Sequence, residues 1–356
     1  LNVKCEWEDN NLIVDTSCIK ENNIEGCLFE KMRSSVFMMG ALLSRFNRAG
    51  VFYPGGCNIG KRPIDIHVSA LREIGIDVLE EKGFVYCKKN FFVSGKVKLK
   101  YPSVGATENV ILASVIGNSE TIILNAAEEP EIEDLANFLN KMGAKITGAG
   151  TKIVKIVGVK KLFSIEYTPI FDRIETGTYL AAAAITGGEV EIRGVNAKNM
   201  FSLINKFCDN TCKINISNDI IYIKSGSVGK SFNLTTGPYP DFPTDMQPQM
   251  VALASVSMGT SVVKETVFEN RFLYTEQLKK MGAKIAVKNN VAIISGTKKL
   301  TGTVLEACDL RGGAALILAG LSAEGVSTIN GAKHIDRGYF KLKEKLTALG
   351  ADITLK

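Results

Sequence analysis

The sequence is poor in histidine and lacks the short motifs that mark several common enzyme classes. Its 356 residues include two histidines, His67 and His334, which are too few for a histidine-based metal site without help from carboxylates. It has no Walker-type phosphate loop, no glycine-rich dinucleotide fingerprint between a strand and a helix, and no HExxH helix. We therefore expect neither a metal nor a cofactor.

Charge and hydropathy argue against two kinds of partner. No apolar run reaches the roughly 18 residues that a membrane span needs. The net charge is +6, and no basic run exceeds three residues, so the charge is too dispersed for a nucleic-acid surface. A mild positive charge fits a protein that attracts small anions. We expect neither a membrane nor a nucleic acid as partner, and the oligomeric state stays open.

The eight cysteines are scattered, and none forms a CxxC pair. Cys208 and Cys212 are four residues apart, a spacing that suits a helix face as well as a metal, and no second pair completes a site. For seven of the eight cysteines, we expect reduced thiols in a reducing compartment, which favours a cytoplasmic protein. Cys57 is the exception because of the loop in which it lies.

One pattern recurs along the chain: an amphipathic helix ends in glycine and leads directly into a β-rich segment. Gly75 and Gly143 are 68 residues apart, as are Gly282 and Gly350. A degenerate copy between them has Thr211 or Cys212 at the glycine position. Glycine at this point is the usual left-handed end of a helix. The chain is therefore predicted to consist of repeats of about 70 residues.

A second kind of helix is apolar on nearly all sides after a polar first turn, and we expect it to be buried. Each such helix is followed by glycine and a short β-branched strand. The predicted repeat is a strand, a buried helix, a strand, an amphipathic helix and one or two strands. The five buried helices are predicted at 33–49, 106–116, 174–185, 245–258 and 311–323.

The number of repeats predicts the domains. Residues 1–4 match the end of a repeat, so we expect five complete copies preceded by the tail of a first copy that lacks roughly 60 residues. Six repeats then form two α/β domains of three repeats each, at 1–170 and 171–356, with the seam in the polar stretch 166–172.

Charged residues begin several of the buried helices, where unpaired N–H groups and the helix dipole favour anions. Arg33 and Arg311 oppose the dipole at such positions, which suggests a bound anion; an ordinary first-turn charge is the alternative. Asp245 lies in a charge-poor segment after Thr244, which can cap the helix. Its apolar surroundings predict a raised pKa and a role as a base.

The loop at 54–67, PGGCNIGKRPIDIH, is longer than the equivalent loops of the other copies and rich in glycine. Lys61 and Arg62 lie close to Cys57, and neighbouring cations favour the thiolate. This pattern is typical of a reactive cysteine on a mobile loop that closes over a ligand. The alternative is a solvated turn with an incidental cysteine. His67 and His334 are expected to be polar loop residues.

Together, these segments resemble the UDP-N-acetylglucosamine 1-carboxyvinyltransferase family of enolpyruvyl transferases over the whole chain. The resemblance rests on the cysteine loop and on SVGATENVILAS, NAAEEPEIEDLANFL, DRIETGTYLAAAA, FPTDMQPQM, ETVFENRF, DLRGGAALILAG and HIDRGY. It implies an α/β fold, namely a two-domain inverted α/β barrel with the active site in the cleft. It also implies transfer of the enolpyruvyl group of phosphoenolpyruvate to the 3′-hydroxyl of UDP-N-acetylglucosamine, the first committed step of peptidoglycan synthesis.

Residue roles follow from the resemblance. It implies that Cys57 protonates the methylene carbon of phosphoenolpyruvate and is alkylated by fosfomycin, and that Asp245 takes the proton of the sugar hydroxyl. It also implies that Arg62 and Arg337 hold the phosphate and carboxylate, with Arg33 and Arg311 nearby. Contacts with the UDP-sugar or the cleft wall are implied for Arg62, Pro63, Ile64, Asp65, Ile66, Ser103, Val104, Glu129, Asp172 and Val267.

Two alternatives remain open. One is a truncated or inactive relative that only binds a UDP-sugar, because a lysine–asparagine pair that contacts phosphoenolpyruvate in the family falls before residue 1. The other is transfer to shikimate 3-phosphate, which the cysteine loop disfavours because the shikimate-pathway transferases lack it.

Overall fold

The computed structural model describes residues 3–9, 11–19, 33–53, 59–60, 62–90, 94–226 and 229–355. Cys57, Lys61 and the first half of the glycine-rich loop lie outside the described residues. Among those described, no helix is long and apolar enough to cross a membrane.

The chain forms two compact units. As far as they are described, one contains Leu1–Gly56 and Pro63–Pro169, and the other Cys57–Arg62 and Ile170–Lys356. The described end of the loop, which was expected in the first domain, thus packs with the second unit. There the backbone N–H of Asn270 donates to the carbonyl of Ile59 over 3.0 Å.

The first unit begins with a hairpin and continues with two copies of the repeat. Its elements are β1 (Lys4–Glu8), β2 (Asn11–Asp15), α1 (Met38–Phe46), β3 (Arg48–Phe52), α2 (Asp65–Glu73), β4 (Ile76–Glu81), β5 (Phe84–Lys89), β6 (Gly95–Lys98), α3 (Val104–Ser114), β7 (Glu120–Leu124), α4 (Pro130–Lys141), β8 (Lys145–Thr147) and β9 (Ile153–Val157).

The second unit contains three copies. Its elements are α5 (Arg173–Thr186), β10 (Glu189–Arg193), α6 (Phe201–Asp209), β11 (Lys213–Ser217), β12 (Ile220–Lys224), β13 (Leu234–Thr235), α7 (Gln247–Val256), β14 (Thr260–Lys264), α8 (Thr275–Lys280), β15 (Lys284–Lys288), β16 (Val291–Ser295), β17 (Val304–Glu306), α9 (Leu310–Ser322), β18 (Thr328–Asn330) and α10 (Leu342–Ala348).

The strand order follows the predicted repeat. Two sheets have the orders β6–β7–β9–β8 and β13–β14–β16–β15, in which the first pair is parallel and the other pairs are antiparallel. A buried helix connects the two parallel strands, as such a crossover requires. Two three-stranded sheets, β3–β5–β4 and β10–β12–β11, keep the antiparallel part of the same pattern.

The predicted left-handed helix ends are confirmed. Gly75, Gly143, Gly282 and Gly350 have φ values of 89°, 102°, 93° and 101°. Thr211 occupies the equivalent place in the degenerate copy with φ 75°. This conformation is unfavourable for a β-branched residue, so the repeat dictates the backbone here although no glycine is present.

The apolar helices form the core of each unit. Helices α1 and α3 pack together in the first unit, and α5, α7 and α9 pack together in the second. All residues of α7 from Gln247 to Ser255 are buried. The helix predicted at 33–49 is shorter than expected. It begins as a 3-10 turn, Arg33–Phe37, and α1 ends at Phe46 because Asn47 has φ 57°.

Candidate active site

Asp245 lies in the 3-10 turn Thr244–Met246, which leads into α7. Two arginines hold its carboxylate. Nη2 of Arg271 donates to Oδ1 over 3.0 Å, and Nε and Nη2 of Arg311 both lie 3.2 Å from Oδ2. Both carboxylate oxygens therefore have a guanidinium partner, while the side chain stays 40% exposed. A carboxylate so placed is fixed in orientation and still accessible to a substrate.

The pKa of Asp245 contradicts the prediction of a raised value. Burial acts to raise the pKa, but the charges of Arg311, Arg271 and Arg62, together with the Arg311 hydrogen bond, lower it below the ordinary value of 3.8. The prediction failed because it considered only the apolar neighbours in sequence. The cations come from distant segments, and opposite charges at this range favour ionisation.

Arg271 is a site residue that the sequence reasoning missed. It belongs to the short loop before α8, it is 3% exposed, and its guanidinium also reaches the carbonyl of Thr244 at 3.3 Å and Oδ1 of Asp309 at 3.8 Å. A buried arginine needs such partners because an unpaired buried charge is costly. The available signal was an arginine in one of the short loops before the amphipathic helices.

Arg311 lies at the start of α9, where its charge opposes the helix dipole. Its partner in the structure is Asp245, and its guanidinium also stacks 5.2 Å from the centroid of the Tyr339 ring. Asp309 caps α9 by accepting from the N–H groups of Arg311 and Gly312. Nη1 of Arg311 is buried and, among the described residues, has no hydrogen-bond partner that meets geometric criteria.

Thr244 does not cap the following helix, contrary to the prediction. Its hydroxyl donates instead to Oε2 of Glu265 over 3.0 Å, and Met246 at the start of α7 has no side-chain cap. The competing acceptor is a buried carboxylate that immediately follows β14, which the local sequence around Thr244 could not reveal.

The other candidates of the second unit are spread over several elements. Asp172 caps α5 by accepting from the N–H groups of Ile174 and Glu175 at 2.8 and 2.9 Å. The N–H of Val267 donates to Glu265 over 2.8 Å. The guanidinium of Arg62 lies 5.1 Å from the ring centroid of Phe268. Arg337 is exposed, after the 3-10 turn Ala332–His334.

The candidates of the first unit lie at the starts of α2 and α3. Nη2 of Arg33 donates to the carbonyl of Pro63 over 3.3 Å, just before α2, which contains Asp65 and Ile66. Ile64 is 1% exposed, so its side chain serves the core. Ser103 caps α3 by accepting from Ala106 over 3.3 Å, and Val104 is the first residue of that helix.

His67 is buried in α2, contrary to its expected place in a polar loop. It is 5% exposed, and its Nδ1 lies 2.8 Å from Nδ2 of Asn109. Because that amide nitrogen can only donate, Nδ1 accepts and the imidazole is neutral. Burial and then the charge of Arg33 lower the pKa of His67 to about 4.

Acidic residues gather at the starts of α3 and α4. Glu129 precedes α4 and is 8% exposed. Burial, and then the charges of Glu131 and Glu129, raise the pKa of Glu108 to about 7. Oε2 of Glu108 is buried without a hydrogen-bond partner among the described residues. Glu108 therefore titrates near neutral pH.

The sequence of the chain matches a known protein family. Residues 1–346 match the family model described as EPSP synthase (3-phosphoshikimate 1-carboxyvinyltransferase). UDP-N-acetylglucosamine 1-carboxyvinyltransferase 2 of Caldanaerobacter subterraneus is 48% identical over 98% of this chain and 84% of its own length. The protein of the same name from Clostridium tetani is 46% identical over 99% of this chain and 84% of its own length.

Solved structures share the fold at lower identity. The enolpyruvyl transferase NikO from Streptomyces tendae superimposes with a TM-score of 0.86 at 22% identity, over 99% of this chain and 84% of that one. EPSP synthase from Acinetobacter baumannii gives a TM-score of 0.74 at 18% identity, over 99% and 86%. The fold is therefore the α/β fold of the enolpyruvyl transferases, as predicted. By sequence, the chain belongs to the EPSP synthase family of enolpyruvyl transferases and, within it, to the UDP-N-acetylglucosamine 1-carboxyvinyltransferases.

Proposed function

We propose that this protein transfers the enolpyruvyl group of phosphoenolpyruvate to the 3′-hydroxyl of UDP-N-acetylglucosamine and releases phosphate. The relatives that match at 46–48% identity carry this activity in their names. The observation that carries the proposal is the carboxylate of Asp245, which is fixed by two arginines and still 40% exposed.

The low pKa of Asp245 suits the role of proton acceptor in this reaction. The carboxylate is ionised throughout the neutral range, so the acceptor is always available. A weak base suffices because the sugar hydroxyl becomes strongly acidic once its oxygen bonds to a carbon with oxocarbenium character. The positioned carboxylate then needs only to lie within hydrogen-bonding reach of that hydroxyl.

The proposed reaction needs one general acid and one general base. The thiol of Cys57 gives its proton to C3 of phosphoenolpyruvate, the sugar oxygen bonds to C2, and Asp245 takes the hydroxyl proton. The result is a tetrahedral adduct with phosphate on C2. The Cys57 thiolate then takes a proton back from C3 while phosphate departs from C2 with the proton held by Asp245, which restores the double bond, the thiol and the carboxylate. Cys57 lies outside the described residues, so its part rests on the family resemblance.

Arginines supply the charge that this reaction needs. We propose that Arg62 and Arg337 bind the phosphate and carboxylate of phosphoenolpyruvate, since guanidinium groups match such anions in a bidentate manner. Arg311 is proposed to supply further positive charge where negative charge develops during the reaction. Arg33 is proposed to join this anion-binding group.

The contacts with the UDP-sugar are proposed from the family resemblance. The residues are Arg62, Pro63, Ile64, Asp65, Ile66, Ser103, Val104 and Val267, with Glu129 and Asp172 as further candidate site residues. For Ile64 the contact must come from the backbone, because its side chain is buried.

In the cell, this activity would serve peptidoglycan synthesis, cell shape and division in the cytoplasm, and fosfomycin would inhibit it.

Phosphate release tests the proposal directly. The purified chain is incubated with phosphoenolpyruvate and either UDP-N-acetylglucosamine, shikimate 3-phosphate or no acceptor. We expect release with UDP-N-acetylglucosamine only. Release with shikimate 3-phosphate alone would overturn the acceptor assignment. Binding of the UDP-sugar without release by the folded chain would point to a protein that binds its ligand without turnover.

A further inference from the structure

Glu265 is a buried carboxylate to which the family resemblance gives no role. It follows β14, it is 1% exposed, and its backbone N–H donates to the carbonyl of Asn290 over 2.8 Å. Burying a carboxylate is costly unless donors surround it. The donors around Glu265 therefore indicate which parts of the chain it holds.

Four donors from separate chain segments converge on this carboxylate. Oε1 accepts from the hydroxyl of Thr236 at 2.9 Å and from the N–H groups of Val267 and Phe268 at 2.8 and 3.2 Å. Oε2 accepts from the hydroxyl of Thr244 at 3.0 Å. One side chain therefore fastens the segment after β13, the turn before α7 and the turn after β14.

Two of these segments carry groups of the candidate site. Thr244 directly precedes Asp245, so the hydroxyl bond fixes the turn from which the base projects. Val267 is a proposed contact of the UDP-sugar, and the ring of Phe268 supports the guanidinium of Arg62 at 5.1 Å. Glu265 thus sets the distance between the base and the surface on which the acceptor is proposed to lie.

We propose that Glu265 is a positioning residue that acts through Thr244 to hold the carboxylate of Asp245 in register with the acceptor hydroxyl. Displacement of a catalytic group by about 1 Å can cost roughly a hundredfold in rate, so a bond at the preceding residue matters for turnover more than for binding. This inference rests on the proposed function, in which Asp245 is the base.

The decisive variant is T244V, which keeps the shape of the side chain and removes only the donor. We expect kcat to fall about tenfold to a hundredfold, with the KM values for both substrates unchanged. T244S keeps a hydroxyl and should restore turnover. S261A is the control: it removes a buried hydroxyl of β14, which accepts from the N–H of Phe232 at 3.1 Å, and should lower stability without changing kcat.

The role of Glu265 is tested by a double-mutant cycle with Thr244. Because Glu265 acts through Thr244, T244V should reduce kcat less in an E265Q background than in the wild-type chain. Additive losses, or T244V kinetics equal to those of S261A, would overturn the proposal.

A second readout does not depend on turnover. The pKa of Asp245 can be measured by carboxyl NMR titration. Burial acts to raise this pKa, but the charges of Arg311 and Arg271 hold it below its ordinary value in the wild-type chain. In T244V the looser turn should bring the pKa back towards the ordinary value, and an unchanged pKa would contradict the inference. If the wild-type chain does not turn over, the proposed function fails, whereas this titration still decides the role of Glu265.

Discussion

Nη2 of Arg271 lies 3.0 Å from Oδ1 of Asp245, although the two residues are 26 positions apart in the chain. The guanidinium is 2% exposed and the carboxylate 40%. The buried partner is therefore the cation, and the accessible partner is the group proposed to accept a proton. Arg271 therefore holds the carboxylate in place, and the exposed part of the Asp245 side chain remains accessible to substrate.

Replacing Arg271 by Ala should lower the free energy of unfolding of the protein and also lower its rate of turnover. The change removes the buried cation that pairs with Asp245 and Asp309 and the donor to the carbonyl of Thr244, and breaking such a buried pair costs about 3 kcal/mol. Denaturant unfolding measures the loss. R193A is the control, because Arg193 forms an exposed pair with Glu191, 76% and 43% accessible, and should change the free energy of unfolding by less than about 0.5 kcal/mol. Equal losses would contradict the account.

Glu108→Gln should stabilise the protein at alkaline pH but not at acidic pH. The pKa of Glu108 rises from 4.5 in the unfolded chain to about 7 in the folded one, through burial and then Glu131 and Glu129. The folded state holds the proton more tightly, so its stability is full below pH 4.5 and declines as the pH rises through about 7.

Glutamine imitates the protonated form and avoids that decline. We expect a gain of about 1–2 kcal/mol at pH 8 and almost none at pH 5, given about 1.4 kcal/mol per unit of pKa and some solvent screening. Thermal unfolding at the two pH values measures it. E133Q, which alters an exposed carboxylate of α4, is the control. A gain from E108Q that is equal at both pH values would refute the assignment.

His67→Asn should flatten the loss of stability on acidification. The pKa of His67 falls from 6.5 to about 4 on folding, through burial and then Arg33. The unfolded state therefore binds a proton that the folded state refuses, and stability declines as the pH falls from 6.5 to about 4. Asparagine keeps an acceptor for Asn109 and cannot titrate. An undiminished slope between these pH values in H67N would show that His67 is not the cause.

The sequence predicted the repeats well because each copy repeats the same physical constraints. The apolar helices must be buried, and the chain must reverse at the glycine after each amphipathic helix. Even Thr211 adopts the left-handed backbone, with φ 75°, since the surrounding copy fixes it. The extent of α1 was wrong because Asn47 ends it with φ 57°, a signal weaker than glycine.

The site was harder to predict because its groups meet through tertiary contacts. The pKa of Asp245 was expected to rise from its apolar neighbours, and Arg271 and Arg311 reverse that effect. Thr244 was expected to cap α7, and Glu265 takes its hydroxyl instead. Both misses concern partners more than 20 positions away, which local periodicity does not encode. The reaction was predicted from the resemblance to a family, whereas the partners of Asp245 are visible only in the structure.

The family resemblance implies that fosfomycin alkylates Cys57, so Cys57→Ser should abolish the labelling. Mass spectrometry of the intact chain measures the adduct. C208S, which removes an exposed thiol, is the control and should be labelled as the wild-type chain is. Undiminished labelling of C57S would show that the reactive thiol is elsewhere.

In the proposed reaction, the ionised carboxylate of Asp245, held by Arg271 and Arg311, accepts the proton of the sugar hydroxyl. Single-turnover formation of the enolpyruvyl UDP-sugar by wild-type protein and D245N, with the UDP-sugar saturating in both, tests it most directly. We expect the single-turnover rate to be roughly a hundredfold or more lower in D245N, with the affinity for the UDP-sugar retained. A D245N rate within a few fold of the wild-type rate, at the same affinity, would contradict it.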